Sequence, residues 1–235
     1  MQEPLFDLSD LEKHAKLFAS SELPWEWLVR LDAYLRGFES RIPVGAVESG
    51  AHLREDLGPI HIEDGATVQF GAVIRGPAYI GRGSIIGYNA FVSGVLILEN
   101  CVVGHCSQVK GSIFLPGSKA PHLNYVGDSI LGRGVNLGAG VKTGNLPLDS
   151  KPGQSIKVVW DEQSVETGLK KLGALIGDGT QIGCNCVTNP GTVIGKNCRA
   201  YGQATLGGTY GPARRIRPDV AMKETEQILG DLTAK

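Results

Sequence analysis

IEDGATVQFGAVIRGPAYIGRGSIIGYNAFV, residues 62–92, returns to a branched apolar side chain at every sixth position. These positions are Ile62, Val68, Ile74, Ile80, Ile86 and Val92. A small residue follows four places after each of the first five: Ala66, Ala72, Ala78, Ser84 and Ala90. Such self-similarity predicts a parallel β-helix in which three repeats form a coil of about 18 residues. One coil cannot bury its own apolar face, so stacked coils supply the core.

The six-residue repeat continues beyond this stretch with three interruptions. It slips by one residue after Val92, pauses around Pro121–Tyr125, and is absent between Asn145 and Lys171. Within the last gap, SIKVVWDEQSVETG (155–168) alternates apolar and polar residues around Asp161-Glu162, which predicts a β-hairpin. The remaining apolar positions are Ile97, Val103, Val109 and Leu115, then Leu131 and Leu137, then Ile176, Ile182, Thr188, Ile194, Ala200 and Leu206.

The residues at both ends of the chain lack the six-residue repeat and predict helices. Residues 9–37 predict two helices, the first capped by Ser9 with Glu12 completing a capping box, the second opened by Pro24. The second helix gathers apolar residues on one face, which we expect to pack on another subunit or to cover the end of the β-helix: Trp27, Leu28, Leu31 and Leu35. A C-terminal helix is predicted from Pro218, over about 219–229.

These patterns predict an all-β solenoid with appendages. We expect an N-terminal helical segment at 1–45, a β-helix at 46–212 with a hairpin insertion at about 146–171, and a C-terminal helical tail at 213–235.

Composition narrows the functional classes. The formal net charge is −1, which argues against nucleic-acid binding. No apolar run approaches the roughly 20 residues that span a bilayer. The acidic start MQEPLFDLSD is unlike a signal peptide, so a cytoplasmic location is expected. The five cysteines are expected to be reduced and packed inside.

The segment SKAPHLNYVGDSILGRGVNLGAG (118–140) resembles the acetyltransferase domain of the bifunctional enzymes that acetylate glucosamine-1-phosphate and then uridylylate it. Related sugar-nucleotidyltransferase-like hexapeptide proteins share this segment, TGLKKLGALIGDG (167–179) and CNCVTNPGTVIGKN (184–197). The resemblance covers roughly residues 60–207. It implies a left-handed β-helix, a cytoplasmic homotrimer with the site between neighbouring subunits, acetyl-CoA as co-substrate and a role in UDP-N-acetylglucosamine biosynthesis.

Acetyl transfer to an amine requires a base, most often histidine, and His122 is the candidate. The resemblance implies the other roles. Asn145 and Asn136 contact the sugar amine, and we group Asn145 with His122 as catalytic and Asn136 with substrate binding. The substrate phosphate is expected to be bound by Lys110, Tyr125 and Lys171. The acetyl-CoA thioester is expected to contact Ala139, Cys184 and Gly202.

One departure from the family opens an alternative. The family carries an arginine for the sugar phosphate one coil before the lysine, and Val92 or Ser93 stands there in this chain. Arg75 is a possible substitute from a neighbouring coil, and Arg214, Arg215 and Arg217 are candidate contacts for cofactor phosphates. The alternative is a catalytically weak or inactive β-helix that trimerises and binds a sugar nucleotide or a nucleotidyltransferase partner.

A zinc site is the other chemistry that a β-helix of this kind suggests, since some left-handed β-helices are carbonic anhydrases with three histidine ligands. The sequence has five histidines and no His-x₄-His pair, so we expect no metal.

Overall fold

Short parallel strands stack in three columns, which form the three faces of a prism. The computed structural model describes residues 5–18, 23–149 and 151–218, and it confirms the predicted left-handed β-helix. Parallel pairing begins with an isolated bridge between Arg41 and His61 and continues to Arg215–Ile216. The predicted C-terminal helix lies outside the described residues.

Each face has its own set of strands. The long strands Val73–Ile80 and Phe91–Ile97 cross from the third face to the first. The first face adds Ile60–Ile62, Ile113–Phe114, Ile130–Leu131, Ala174–Ile176, Thr192–Ile194 and Thr209–Tyr210. The second has Thr67–Val68, Ile85–Ile86, Val102–His105, Lys119–His122, Asn136–Leu137, Gln181–Ile182, Arg199–Ala200 and Arg215–Ile216. The third adds His52–Arg54, Gln108–Lys110, Tyr125–Gly127, Lys142–Thr143, Val187–Thr188 and Thr205–Leu206.

The repeat residues of 62–92 point into the prism, as predicted, and all six are fully buried. The prediction was wrong at Leu115, because the adjacent Phe114 points inward and Leu115 faces outward. It was also wrong about the pause at Pro121–Tyr125. Ala120 and Val126 keep the inward pattern through that segment, so His122 lies on a regular coil rather than on a loop.

Coil length explains both errors. Lys119 pairs in register with Val102 on one side and Asn136 on the other, so these coils have 17 residues, not 18. The first shortened coil appears where Arg75-Gly76-Pro77-Ala78 is matched by Ser93-Gly94-Val95, with one residue fewer at the corner. A corner that is one residue shorter shifts the inward positions without breaking the stack.

The N-terminal segment is helical, with different boundaries from those predicted. A 3₁₀ turn, Glu12–His14, leads into α1 (Ala15–Phe18), and α2 spans Trp25–Leu35 with Pro24 as its N-cap residue. The predicted capping box does not form, because the 3₁₀ turn begins after Leu11 without a side-chain cap. The Ser9 N–H instead donates to Asp7 Oδ1 at 3.0 Å. A second 3₁₀ turn, Glu55–Leu57, follows the first strand of the third face.

The helices cover a side of the prism rather than its end. Trp27, Leu31 and Leu35 of α2 are buried against outward-facing residues of the first face. Those residues, with their neighbours at the corner, are Tyr79, Leu96, Leu98, Ile113, Leu115, Ile130, Leu175 and Val193. The first face therefore carries apolar residues on both sides, since its inward residues belong to the interior of the prism. This face is closed to contact with another copy wherever the helices cover it.

The insertion forms the predicted hairpin, which completes this cover. Strands Lys157–Trp160 and Gln163–Glu166 pair antiparallel around Asp161-Glu162, both in the left-handed conformation. The Trp160 ring meets the Trp25 ring edge-on, with centroids 5.5 Å apart. The hairpin and the helices therefore pack as one layer.

The cysteine prediction was correct for three residues and wrong for two. Cys101, Cys186 and Cys198 are buried, whereas Cys106 and Cys184 are exposed at the edge between the second and third faces. Among the described residues, no helix is both long and apolar enough to cross a membrane.

His14 is buried where the helical segment meets the first face. Its Nδ1 pairs with the Tyr34 hydroxyl at 2.7 Å, and its ring meets the Tyr79 ring edge-on at 5.1 Å. Its Nε2 is buried without a hydrogen-bond partner in the described part of the chain. Burial is the main cause that lowers the His14 pKa to about 4; nearby Lys13 contributes in the same direction, and Glu63 opposes the shift.

Acidification is expected to loosen this junction. The folded state holds His14 neutral below its usual pKa of 6.5, so the unfolded state binds the proton more tightly. Stability present above about pH 6.5 is lost as the pH falls towards 4, by about 2–3 kcal/mol at pH 4.5. Denaturant melts at pH 7 and pH 4.5 should show a smaller pH dependence in His14→Gln. The exposed His52→Gln is the control, and equal pH dependence in wild type and His14→Gln would contradict the prediction.

Candidate active site

The edge between the second and third faces carries the predicted base. Five residues stack there on successive coils: His105, His122, Ala139, Cys184 and Gly202. For each of the last four, the N–H of the next residue in the sequence donates to the carbonyl of the stacked residue one coil earlier. The imidazoles of His105 and His122 lie 5.0 Å apart between centroids. Coils are separated by about 4.8 Å, so His122 to Gly202 spans about 14 Å. The structure thus aligns His122 with all three residues predicted to contact acetyl-CoA.

A buried amide holds His122 at this edge. Asn124 is 2% exposed; its Oδ1 accepts from the His122 N–H at 2.9 Å, and its Nδ2 donates to the Gly138 carbonyl at 2.8 Å. Between them, Leu123 turns the corner with a φ of 53°. The corner fixes the backbone of His122 while its imidazole stays exposed to solvent.

The opposite edge of the third face gathers four other predicted residues around Gly127. Gly127 pairs in register with Lys110. A β-carbon on Gly127 would lie 2.7 Å from the Tyr125 hydroxyl and 2.8 Å from Asn145 Nδ2, so both groups lie over it. The N–H of the residue after Lys171 donates to the Asn145 carbonyl at 3.0 Å. The structure therefore brings the side chains of Tyr125 and Asn145 together, with the backbones of Lys110 and Lys171 beside them.

Asn136 stands apart from this cluster. It lies half-buried on the second face, between Lys119 and Gln181 in register, three residues before Ala139. Within one chain it does not reach Asn145, which belongs to the opposite edge of the third face.

The register decides which residue takes the place of the family arginine. Val92 points inward and is fully buried, so Ser93 is the residue beside Lys110. Arg54, Arg75, Ser93 and Lys110 form one outward column on the third face. Arg75 is two coils, or about 10 Å, from Lys110. The basic C-terminal residues lie near the other end of the prism, where the Arg217 guanidinium lies 5.1 Å from the centre of the Tyr201 ring.

Sequence reasoning missed Asp128, although it stands inside the recognised segment. Its carboxylate accepts a hydrogen bond from Asn145 Nδ2, and its carbonyl accepts the Gly173 N–H at 2.7 Å. It thus links the coil that bears Tyr125 to both ends of the insertion. The sequence carried no signal for this role, because the left-handed corner that Asp128 forms is shared by asparagines elsewhere in the fold.

Comparisons with known proteins agree with this architecture. Residues 59–94 match the family described as bacterial transferase hexapeptide (six repeats). Those residues carry bacterial transferase hexapeptide repeats. A bifunctional sugar-1-phosphate nucleotidylyltransferase/acetyltransferase from Sulfurisphaera tokodaii is 38% identical over 164 residues, which is 69% of this chain and 39% of that protein.

A second relative of this hexapeptide chain is the bifunctional protein GlmU of Methanocaldococcus jannaschii. It is 37% identical over 176 residues, covering 74% of this chain and 41% of GlmU. These relatives confirm the resemblance drawn from the sequence. The hexapeptide chain matches about two fifths of the length of each of them.

The solved structure of the polysialic acid O-acetyltransferase OatWY is also similar to part of this chain. The match has a TM-score of 0.44 and 10% identity, and covers 77% of this chain and 92% of OatWY. That likeness is too weak to bear on activity.

Proposed function

We propose that the chain is an acyl-CoA-dependent N-acetyltransferase acting on an amino sugar phosphate or sugar nucleotide. The observation that carries the proposal is that the two edges of the third face hold two different groups of predicted site residues. His122 shares an edge with Ala139, Cys184 and Gly202, and the opposite edge gathers Lys110, Tyr125, Asn145 and Lys171. The name of the Sulfurisphaera tokodaii relative supports both the acetyltransferase class and a sugar-1-phosphate substrate.

The chemistry follows from these groups. Acetyl-CoA supplies the acetyl group as a thioester. A C–N bond forms between the sugar amine and the thioester carbonyl carbon, and the C–S bond breaks. The amine gives its proton to His122, and that proton then passes to the departing thiolate. The residues at 139, 184 and 202 are small, so the edge beyond His122 leaves room for the extended chain of acetyl-CoA that bears the thioester.

The two lysines of the site suit the phosphate end of the substrate. Lys110 and Lys171 supply charge-assisted donors to a phosphate, and Tyr125 adds a hydroxyl. Asn145 offers an amide to the sugar amine. Four residues, 123–126, separate His122 from Gly127, so the two lie at most about 16 Å apart along the face. This separation, and the closure of the first face by helices, favour a homotrimer whose sites lie between neighbouring copies.

One observation favours a second candidate. Ser93 replaces the family's phosphate-binding arginine beside Lys110, which removes a bidentate phosphate contact. The alternative is a trimer that binds a sugar nucleotide, or a nucleotidyltransferase chain, without transferring an acetyl group.

Turnover and ligand stabilisation separate the two candidates. The purified chain is incubated with acetyl-CoA and glucosamine-1-phosphate, free thiol is followed, and the product mass is measured. Thermal shifts are recorded with acetyl-CoA and with UDP-N-acetylglucosamine. Thiol release with N-acetylated product supports the enzyme. Stabilisation by the sugar nucleotide, with no response to acetyl-CoA and no product, supports the binding protein and contradicts the enzyme.

Gly127→Ala is expected to displace two site residues at once. The new methyl group would occupy the space of the Tyr125 hydroxyl and the Asn145 amide. A misplacement of about 1 Å costs roughly 10²-fold in rate, so we expect kcat/KM for the amino sugar to fall about 10- to 100-fold. Steady-state kinetics check this result. Gly211→Ala is the control, since its β-carbon would meet no atom nearer than 3.8 Å, and equal kinetics in both variants would contradict the prediction.

A further inference from the structure

Five corners in the described residues share one arrangement. A left-handed residue places its side-chain Oδ1 where a β-carbon of the glycine one coil earlier would lie. At four of these corners the residue is asparagine: Asn89, Asn100, Asn185 and Asn197. The fifth is Asp128, which lies over Gly111 with a φ of 49°.

Asparagine therefore satisfies the backbone and packing of this corner throughout the fold. It is also a residue that tolerates the left-handed conformation well. The four asparagines are exposed to solvent, whereas Asp128 is half-buried. A carboxylate at 128 is not needed to turn the chain, so its charge calls for another explanation.

What distinguishes Asp128 is its partner. Its Oδ2 accepts a hydrogen bond from Asn145 Nδ2, and the Asn145 side chain is largely buried. An ionised carboxylate only accepts hydrogen bonds, so the amino group of Asn145 must face it. The Asn145 Oδ1 is then held on the other side of the amide. An asparagine at 128 offers both a donor and an acceptor, and leaves the Asn145 amide free to adopt either orientation.

We propose that Asp128 is a positioning residue that fixes the Asn145 amide with Oδ1 presented as an acceptor to the sugar amine. The inference rests on the proposed function, in which Asn145 contacts that amine. An acceptor at this point takes one amine N–H and thereby directs the nitrogen lone pair. The reversed amide would present N–H groups to the amine and leave its hydrogens unpaired.

Asp128→Asn tests the inference without altering the corner, because it installs the residue that the other four corners use. We expect kcat to fall about 10- to 100-fold, as for the loss of an orienting partner. The KM for acetyl-CoA should stay within about twofold of the wild type. The melting temperature should move by no more than about 2 °C. Asn100→Asp, a matched exchange at a distant corner, should leave kinetics unchanged.

A double variant supplies a readout that a structural role would not move. Asn145→Asp alone sets two carboxylates face to face and should be worse than Asp128→Asn. Combining the two exchanges lets the new amide at position 128 donate to the new carboxylate at position 145, whose other oxygen is again an acceptor. We expect the double variant to recover activity several-fold over Asp128→Asn, as coupled neighbours do.

The outcomes separate this inference from the proposed function. A wild-type chain without turnover overturns both. An active wild type with Asp128→Asn turnover within about twofold of it overturns this inference alone. So does a fall in turnover with a melting temperature lowered by more than about 5 °C and no recovery in the double variant, since that makes Asp128 structural.

Discussion

His122→Ala is expected to lower kcat about 10²- to 10⁴-fold while leaving the fold intact, since positioned bases contribute about that much. The imidazole is exposed, so its removal opens no cavity. The amide of Asn124, which bonds the His122 backbone, is unaffected. Acetyl-CoA should still bind, because its predicted contacts lie on later coils at 139, 184 and 202. Stopped-flow thiol release and thermal shift with acetyl-CoA measure the two effects separately.

His52→Ala is the control for this result, since it removes an exposed histidine from the first strand of the third face. We expect its turnover to equal that of the wild type. Turnover in His122→Ala within about threefold of wild type would mean that His122 is not the base, given the size of the expected effect.

Trp25→Ala is expected to cost about 3–5 kcal/mol, the usual range for removing a buried tryptophan from a core. Trp25 is 1% exposed and meets Trp160 of the hairpin edge-on. Its loss weakens the contact between α2 and the insertion, whose second strand leads to Lys171. The melting temperature should fall by about 6–20 °C, since each kcal/mol corresponds to about 2–4 °C for a chain of this size. Hydrogen exchange should rise at Leu96 and Leu98 on the first face.

Val29→Ala is the matched control, because Val29 lies on the same helix and is 60% exposed. It should leave melting within about 1–2 °C of wild type. If Trp25→Ala melts like Val29→Ala, the helices do not stabilise the first face, and the packing described above is wrong.

Much of the β-helix was predictable because inward positions admit only apolar or small residues at a fixed spacing. The limit of that reasoning shows at Phe114 and Leu115. Both are apolar, and the sequence cannot say which one faces the interior when the other faces helices. The same ambiguity hid the role of α2. Leu115 was assigned to the interior of the β-helix, whereas it joins Leu96 and Leu98 in an outer apolar surface.

The candidate site was predictable in part. His122 came from the recognised segment 118–140 and Asn145 from the wider resemblance over about 60–207. The register now places His122 in line with Ala139, Cys184 and Gly202. The approach of Lys171 to Asn145 was not predictable from spacing, since the hairpin lies between them and packs against both Trp25 and the first face. Asp128 was missed because its importance lies in its contact with Asn145 and in contrast with the other four corners.

Transfer of the acetyl group to the sugar is the most direct test of His122 as the base. Isotope-labelled acetyl-CoA and glucosamine-1-phosphate are mixed with the wild-type chain and with His122→Ala, and the sugar product is analysed by mass spectrometry. We expect a labelled N-acetyl sugar phosphate from the wild type and, over the same time, about a hundredth of that amount or less from the variant. Equal label in both products, or none from the wild type, would contradict this expectation.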